Sequence, residues 1–233
     1  MLIRRWISVV CAVLLICGAT LICGKDYQTL PTNSQPNRQR PTIIIDAGHG
    51  GIDSGASGKD GTPEKIINLS ISYKVKEILT ALGYKSVMTR EADELLISGN
   101  ETTIRQKKRN DLSARLDLVE KENACILLSI HQNYYDHAQY SGTQVFFARN
   151  HPDNQRLAQS IQSAVARLLQ PTNRRSIKTV GSEIFLLNQC TKPAVMVECG
   201  FMSNTKELSL LKNEEYQTKM AFCIVMGLLS YDS

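Results

Sequence analysis

The chain is predicted to form an α/β domain, because short runs rich in β-branched residues alternate with amphipathic helical patterns from residue 42 onward. Three of these runs end in a residue type that binds metal, at His49, His131 and Glu198. Parallel strands place their carboxyl ends at one edge of a sheet. We therefore expect these three side chains to meet in space although they are far apart in the sequence.

The first strand covers residues 43–49 and leads through a glycine-rich loop, residues 48–61, into a helix. Apolar residues spaced three and four apart predict a helix over residues 63–82 that Gly83 ends; they occupy positions 67, 71, 75, 78 and 82. A short strand near residues 84–89 follows. A polar loop then extends to about residue 103.

The second half of the domain continues the alternation. Asn110 or Asp111 is the expected cap of a second helix, which leads into a strand over residues 126–131. The pattern then predicts, in chain order, a strand over 143–148, a helix through positions 157, 161, 165 and 168, strands near 183–187 and 193–198, and a closing helix over 205–230. This alternation in a chain of 233 residues indicates one domain, residues 42–233.

Residues 1–24 are expected to stand apart from that domain. Arg4 and Arg5 precede an uncharged apolar stretch, residues 6–24, whose length suits a signal peptide or an N-terminal membrane anchor. The residues around Cys17 match a cleavage site only loosely, so an uncleaved anchor is favoured. Residues 25–41 are polar and contain three prolines, which is typical of a flexible linker. The two arginines predict an extracytoplasmic domain that meets the membrane only through this segment.

The net charge of +5 does not indicate a nucleic-acid partner, because residues 1–40 carry +4 of it. The domain itself is nearly neutral and has no basic face that composition can reveal. Its four cysteines match no zinc-ribbon or Cys-x-x-Cys spacing, and each lies in or beside an apolar run. We expect them to be structural; an exported domain also permits a disulfide between two of them.

The glycine-rich loop has two interpretations. A phosphate cradle is disfavoured, because the loop fits neither the P-loop pattern nor the dinucleotide fingerprint, which fails at Asp53. In the other interpretation the glycines let the backbone turn sharply, so that His49 projects from the strand end into a site. A structural or surface role remains the alternative for a single histidine.

Glu64 and His131 strengthen the second interpretation. Glu64 lies in the first turn of a helix that must pack back on the first strand, although a favourable charge at a helix N-terminus also explains it. Two imidazoles and a carboxylate at one sheet edge match a three-ligand catalytic zinc site with an open position for water. Glu198 ends an apolar strand, where it is suited to act as a general base beside such a metal; an ion pair with a lysine is the alternative.

Four segments of the chain resemble the signature segments of the zinc-dependent N-acetylmuramoyl-L-alanine amidases of bacterial cell walls. They are Asp46-Ala47-Gly48-His49-Gly50-Gly51, Glu64 at the helix start, Ser129-Ile130-His131-Gln132-Asn133, and Val197-Glu198-Cys199-Gly200-Phe201-Met202-Ser203-Asn204. The resemblance implies one α/β domain with a mixed, roughly six-stranded sheet flanked by helices. It also implies Zn²⁺ held by His49, Glu64 and His131 at one sheet edge, with Glu198 as catalytic base and acid. The substrate would be the amide that joins muramic acid to the first alanine of a peptidoglycan stem peptide.

Two positions depart from the family pattern, Gln132 and Cys199, and both are expected to affect packing rather than activity. Some relatives carry an inhibitory helix after the strand near residue 145, for which the connection here leaves no room. Regulation would then come from outside the chain, for example from a membrane-associated or lipoprotein activator. Arg109 and Arg115 are expected on a solvated helix face, with contact to substrate carboxylates as the alternative.

Small size, the N-terminal segment and the lack of wall-binding repeats look most like the germination-specific spore-cortex amidases, which remove stem peptides so that muramic-lactam can form. That similarity implies a location in the forespore intermembrane space of a spore-forming bacterium. The alternatives are a vegetative amidase for cell separation and a non-catalytic peptidoglycan-binding relative.

Overall fold

The computed structural model describes residues 40–96 and 103–232. The predicted anchor or signal peptide, residues 1–24, and the linker as far as residue 39 lie outside the described residues. Within the described ranges, no helix has the length and apolar character needed to cross a membrane.

The strands form one six-stranded mixed sheet in the order β2, β1, β3, β6, β4, β5. Strands β2, β1, β3 and β6 are parallel, whereas β4 runs antiparallel to β6 and parallel to β5. The strands are β1 (Thr42–Ala47), β2 (Ser86–Met88), β3 (Cys125–Asn133), β4 (Gln144–Phe147), β5 (Lys178–Thr179) and β6 (Ala194–Phe201). The predicted α/β class and the mixed, six-stranded sheet are confirmed.

Six helices are present in the described residues. They are α1 (Glu64–Ala81), α2 (Ile104–Lys121), α3 (Asn154–Leu168), α4 (Phe185–Gln189), α5 (Thr205–Leu211) and α6 (Glu214–Asp232). Only residues 148–153 connect β4 to α3, so no inserted helix lies there.

The core has two parts because the sheet is buried on both faces. On one face Ile45, Leu128 and Val197 pack with residues of α1, α3 and α6. On the other face Leu127 and Met196 pack with residues of α2 and α4. Each fully buried aliphatic side chain contributes about 1.5–3 kcal/mol relative to its exposed state. This two-sided burial explains why the central strands are nearly continuous apolar runs.

The predicted strand near residues 183–187 is wrong. The structure has the short helix α4 there, and the fifth strand is the two-residue β5, which the pattern did not reveal. Leu186 and Leu187 are adjacent in sequence and both are buried in the same part of the core. Successive side chains of a strand point to opposite faces, so a helical turn is required to bury both on one side.

Two predicted helix boundaries also need correction. Helix α2 begins at Ile104, and its cap is Thr103, whose side chain accepts a hydrogen bond from the Gln106 amide, rather than Asn110 or Asp111. The closing helix is divided into α5 and α6, because the side chain of Asn213 accepts from the Tyr216 amide and starts a new helix. All four cysteines of the domain are free and buried, in agreement with a structural role.

Candidate metal centre

Three side chains converge at the carboxyl edge of the sheet. His49 follows β1, Glu64 is the first residue of α1, and His131 lies near the end of β3. The His49 Nε2 atom is 3.2 Å from Glu64 Oε2, and the His131 Nδ1 atom is 3.0 Å from Glu64 Oε1. One ligand atom from each residue lies within 4.8 Å of the other two. The spatial meeting of these three residues is therefore as predicted.

Glycines make this close approach possible. A Cβ atom at Gly48 would lie 2.3 Å from the His131 ring, so no larger residue fits between β1 and that imidazole. Gly55 has a φ of +66°, and a Cβ there would lie 2.5 Å from Glu64 Oε2. His49 itself adopts a φ of +62°, which directs the chain away from β1 as the loop begins.

Asp53 orients His49. The His49 Nδ1 atom lies 2.8 Å from Asp53 Oδ2, and Lys108 forms an ion pair with the other oxygen of Asp53 at 2.6 Å. With Nδ1 bound to a carboxylate, Nε2 faces Glu64 and is available as a ligand. Burial lowers the pKa of His49, but hydrogen bonds to Asp53 and Glu64 outweigh it and raise the pKa to about 10. Metal binding would have to displace that proton.

Glu64 is held as a carboxylate. Its oxygens accept hydrogen bonds from the Ala56 and Gln132 amides, and from the Asn68 side chain at 3.1 Å. Burial opposes ionisation, but hydrogen bonds and charge interactions with His131 and His49 outweigh it and hold the pKa of Glu64 well below its usual value. The side chain of Gln132, which departs from the family pattern, is buried and donates to Asn68, in agreement with a packing role.

Glu198 lies directly opposite His131 in the register of β3 and β6, on the same face of the sheet. Its Oε2 atom is buried and has no hydrogen-bond partner among the described residues. Burial raises the pKa of Glu198 to about 7. The charge of Glu64 adds to this rise, whereas His131 and His49 lower the pKa. The alternative of an ion pair with a lysine is not formed in the described part of the chain. An unpartnered buried carboxylate atom beside two imidazoles is suited to proton transfer.

Two imidazoles and one carboxylate are the protein ligands of many catalytic zinc sites, which leave one position open. The donor atoms here face one another from three separate elements, so the residues present fit a zinc ion. A family model described as N-acetylmuramoyl-L-alanine amidase matches residues 43–230. The chain belongs to the N-acetylmuramoyl-L-alanine amidase family. It is an amidase by this membership.

Individual amidases are similar over most of the chain. The germination-specific N-acetylmuramoyl-L-alanine amidase of Bacillus subtilis is 35% identical over 189 residues, which cover 81% of this chain and 78% of that protein. The structure of the CwlD amidase from Clostridioides difficile, solved in complex with the GerS lipoprotein, has 41% identity and a TM-score of 0.79. The match covers 82% of this chain and 98% of the CwlD chain. The amidase AmiC2 of Nostoc punctiforme has 29% identity and a TM-score of 0.69, and covers 82% and 96%.

Sequence reasoning missed a buried polar network behind the candidate metal centre. Arg115 donates from Nη1 to Asp46 Oδ1 at 2.7 Å and from Nη2 to the His49 carbonyl at 2.8 Å. Arg90 donates to the carbonyls of Ala47 and Gly48. The expectation that Arg115 lies on a solvated face is wrong, because its side chain is 2% exposed.

Arg109, on the same helix, is exposed as expected. The available signal for the network was Asp46 at the end of an apolar strand, because a buried carboxylate needs a cation.

Proposed function

We propose that this chain is a zinc-dependent amidase that hydrolyses the bond between N-acetylmuramic acid and L-alanine in peptidoglycan. His49, Glu64 and His131 hold the Zn²⁺, and Glu198 is the general base and acid. One observation carries the proposal. Three ligand atoms gather within 4.8 Å of one another, beside a buried carboxylate atom without a hydrogen-bond partner.

The chemistry divides between the ion and the protein. When bound, zinc polarises a carbonyl and lowers the pKa of water to about 7, which supplies a nucleophile at neutral pH. Glu198 takes the proton of the attacking water on a carboxylate oxygen and passes it to the nitrogen that leaves with the stem peptide. Asp53 keeps Nε2 of His49 directed toward the site, and Ala56, Asn68 and Gln132 fix the Glu64 carboxylate.

The activity is tested by incubating purified protein with peptidoglycan and analysing the released products. The proposal predicts free stem peptides that begin with alanine, and their loss in Glu198→Gln. That variant is expected to keep peptidoglycan binding, because it retains the shape of the side chain. If the wild-type protein binds the wall but exposes no new alanine amino groups, either alone or with lipoproteins of its own organism, the chain is a non-catalytic relative and the proposed activity is wrong.

We further propose a role in the spore cortex. The support is the similarity to an amidase named germination-specific and to CwlD. The enzyme would act outside the cytoplasm, in the forespore intermembrane space, held there by its N-terminal segment. Deleting its gene should abolish muramic-lactam in spore peptidoglycan. Normal muramic-lactam together with chains of unseparated cells would instead support a vegetative role.

A lipoprotein partner is the third part of the proposal, and it rests on the GerS complex of the CwlD relative. Such a partner would act on metal loading or on access to the site, since the β4 to α3 connection carries no inhibitory helix. The test compares zinc affinity and hydrolysis by the protein alone and with lipoproteins of its own organism. A zinc affinity and a rate of hydrolysis that the lipoproteins leave unchanged would contradict an activating partner.

A further inference from the structure

A surface depression lies beside the metal centre, over β4 and β5, the two strands that run antiparallel to the rest of the sheet. We call it the β4/β5 cleft; it has a volume of about 380 Å³. Its walls include two cations, three aromatic rings and one amide side chain. These are Arg175 and Lys178, then Tyr140, Phe146 and Phe201, and Gln144. A cleft of this composition is polar enough to bind a charged, flexible chain.

The cleft continues from the metal centre along one face of the sheet. Gln144 of β4 is the register partner of Glu198, and Glu198 is the register partner of His131. Directly paired residues project from the same face, and neighbouring strands are about 4.8 Å apart. The cleft therefore begins one strand away from Glu198, on the side opposite His131.

Arg175 is fixed in this cleft by aromatic and polar contacts. Its guanidinium lies 4.4 Å from the centre of the Phe201 ring and 5.6 Å from that of Tyr140. It donates hydrogen bonds to Gln144 Oε1 at 3.1 Å and to the Ser141 carbonyl at 2.8 Å. These contacts leave the planar fork pre-organised, which suits a carboxylate better than a mobile cation does.

Lys178 supplies a second charge at the same wall, with its Nζ atom 5.9 Å from the centre of the Phe146 ring. Neither cation has a carboxylate oxygen within 4.0 Å in the part of the chain that the structure describes. The acidic neighbour of Arg175 is Glu207, whose oxygens instead accept the amide hydrogens of Gly142 and Phe201. The charge of Glu207 therefore acts on Arg175 without a direct ion pair, and within the described residues both cations are left without a carboxylate in contact.

We propose that the β4/β5 cleft binds the peptide side of the amidase substrate, and that Arg175 and Lys178 select peptides with free carboxylates. This inference rests on the proposed function. Lys178 lies two strands and two residues away from Glu198, about 12 Å at usual sheet spacings. An extended chain advances about 3.3 Å per residue, so the cations face carboxylates roughly two to four residues beyond the scissile amide.

The test uses two soluble muramoyl peptides, one with its peptide carboxylates free and one with them amidated. The wild-type protein should cleave the free form with a KM about tenfold lower, as expected for one good charge-assisted contact. Lys178→Gln should raise the KM for the free form several-fold and shift the amidated form little, with the change falling on KM rather than kcat. Lys178 is exposed, so this variant should fold.

Two further variants complete the design. Arg175→Lys keeps the charge but loses the planar guanidinium. It should therefore also reduce the ratio between the KM of the amidated peptide and the KM of the free peptide. Lys121→Gln is the control. It removes an exposed lysine at the end of α2, close to the amino end of β3 and so away from the carboxyl ends that carry the metal centre, and it should leave both KM values unchanged. Equal KM values for the two peptides, or equal losses on both in Lys178→Gln, would overturn the subsite.

Failure of the proposed function gives a different result. If the wild-type protein cleaves neither peptide, even with lipoproteins of its own organism present, the amidase proposal fails. Peptide binding then tests the subsite by itself. Zinc-loaded Glu198→Gln should then bind the free form about tenfold more tightly than the amidated form in calorimetry. Adding Lys178→Gln should reduce that difference, and an unchanged difference would overturn the assignment of Lys178.

Discussion

Arg115 and Asp46 form an ion pair inside the protein, with 2.7 Å between Nη1 and Oδ1 and with both side chains at most 3% exposed. The same guanidinium donates to the carbonyl of His49, a predicted zinc ligand, and to Asp111. The pair therefore links α2 to the strand end that presents the metal centre. Burial disfavours both charges, so each depends on the other.

Replacement of Arg115 by lysine should weaken zinc binding. A lysine keeps the charge, but it cannot reach Asp46, Asp111 and the His49 carbonyl together. Loss of such an outer contact typically costs about 10–100-fold in metal affinity, so we expect a change in this range by chelator competition. Arg109→Lys, at an exposed position of the same helix, is the matched control. Equal affinities of the two variants would contradict a positioning role for Arg115.

Asp46 should make the stability of the protein depend on acid pH. Burial raises its pKa, but Arg115, His131 and Ser129 outweigh this and lower it from 3.8 to about 2. A lowered folded-state pKa adds stability that is present above the unfolded value and is lost as the pH falls toward 2. The shift corresponds to about 2 kcal/mol.

The measurement compares the free energy of unfolding of wild type and Asp46→Asn in urea with chelator present. The free energy of unfolding of the wild type, relative to that of Asp46→Asn, should fall by about 2 kcal/mol as the pH is lowered from 5 to 2. A difference that is constant over this range would show that Asp46 is not held ionised.

Glu198→Gln should change stability in the opposite pH range. Burial raises the pKa of Glu198 from 4.5 to about 7, so the folded metal-free protein binds a proton that the unfolded chain has lost. This group therefore contributes most stability below pH 4.5, and the contribution is lost as the pH rises through 7. The free energy of unfolding of Glu198→Gln, relative to that of the wild type, should therefore rise by about 3 kcal/mol as the pH is raised from 4.5 to 8. Urea unfolding in chelator tests this, and parallel pH profiles would contradict it.

Gly227→Ala should destabilise the contact between α3 and α6. A Cβ atom at Gly227 would lie 2.5 Å from the Cα atom of Ile161, so one of the two helices must shift. We expect a net loss of about 2 kcal/mol in the free energy of unfolding, because this overpacking exceeds the gain in helix propensity. Thr218→Ala, at an exposed position of α6, is the control and should stay within about 0.5 kcal/mol of wild type. A neutral Gly227→Ala would contradict the close packing.

The sequence indicated the parts of the site that follow from local patterns. His131 and Glu198 end apolar runs, and Glu64 starts a helix after a glycine-rich loop, so one edge of the sheet was the expected meeting place. Strand order and register were not needed for this, because parallel strands share an edge.

The remaining features depend on tertiary contacts. The environment of Arg115 is set by Asp46, 69 positions away, and a polar helix pattern gives no sign of that partner. Residues 184–187 form a short apolar run that suits either a strand or a helix, and only the shared burial of Leu186 and Leu187 decides between them. The two-residue β5 has no periodicity to detect.

The most direct test of zinc-dependent catalysis is a titration of chelator-treated protein with Zn²⁺, in which bound metal and release of alanine-terminated stem peptides are measured on the same samples. Activity should rise in proportion to bound zinc and reach its plateau at about one equivalent, as expected for a single three-ligand site. His49→Ala should show neither tight binding nor activity. Full hydrolysis by the metal-free protein, or by His49→Ala, would contradict a mechanism based on His49, Glu64 and His131.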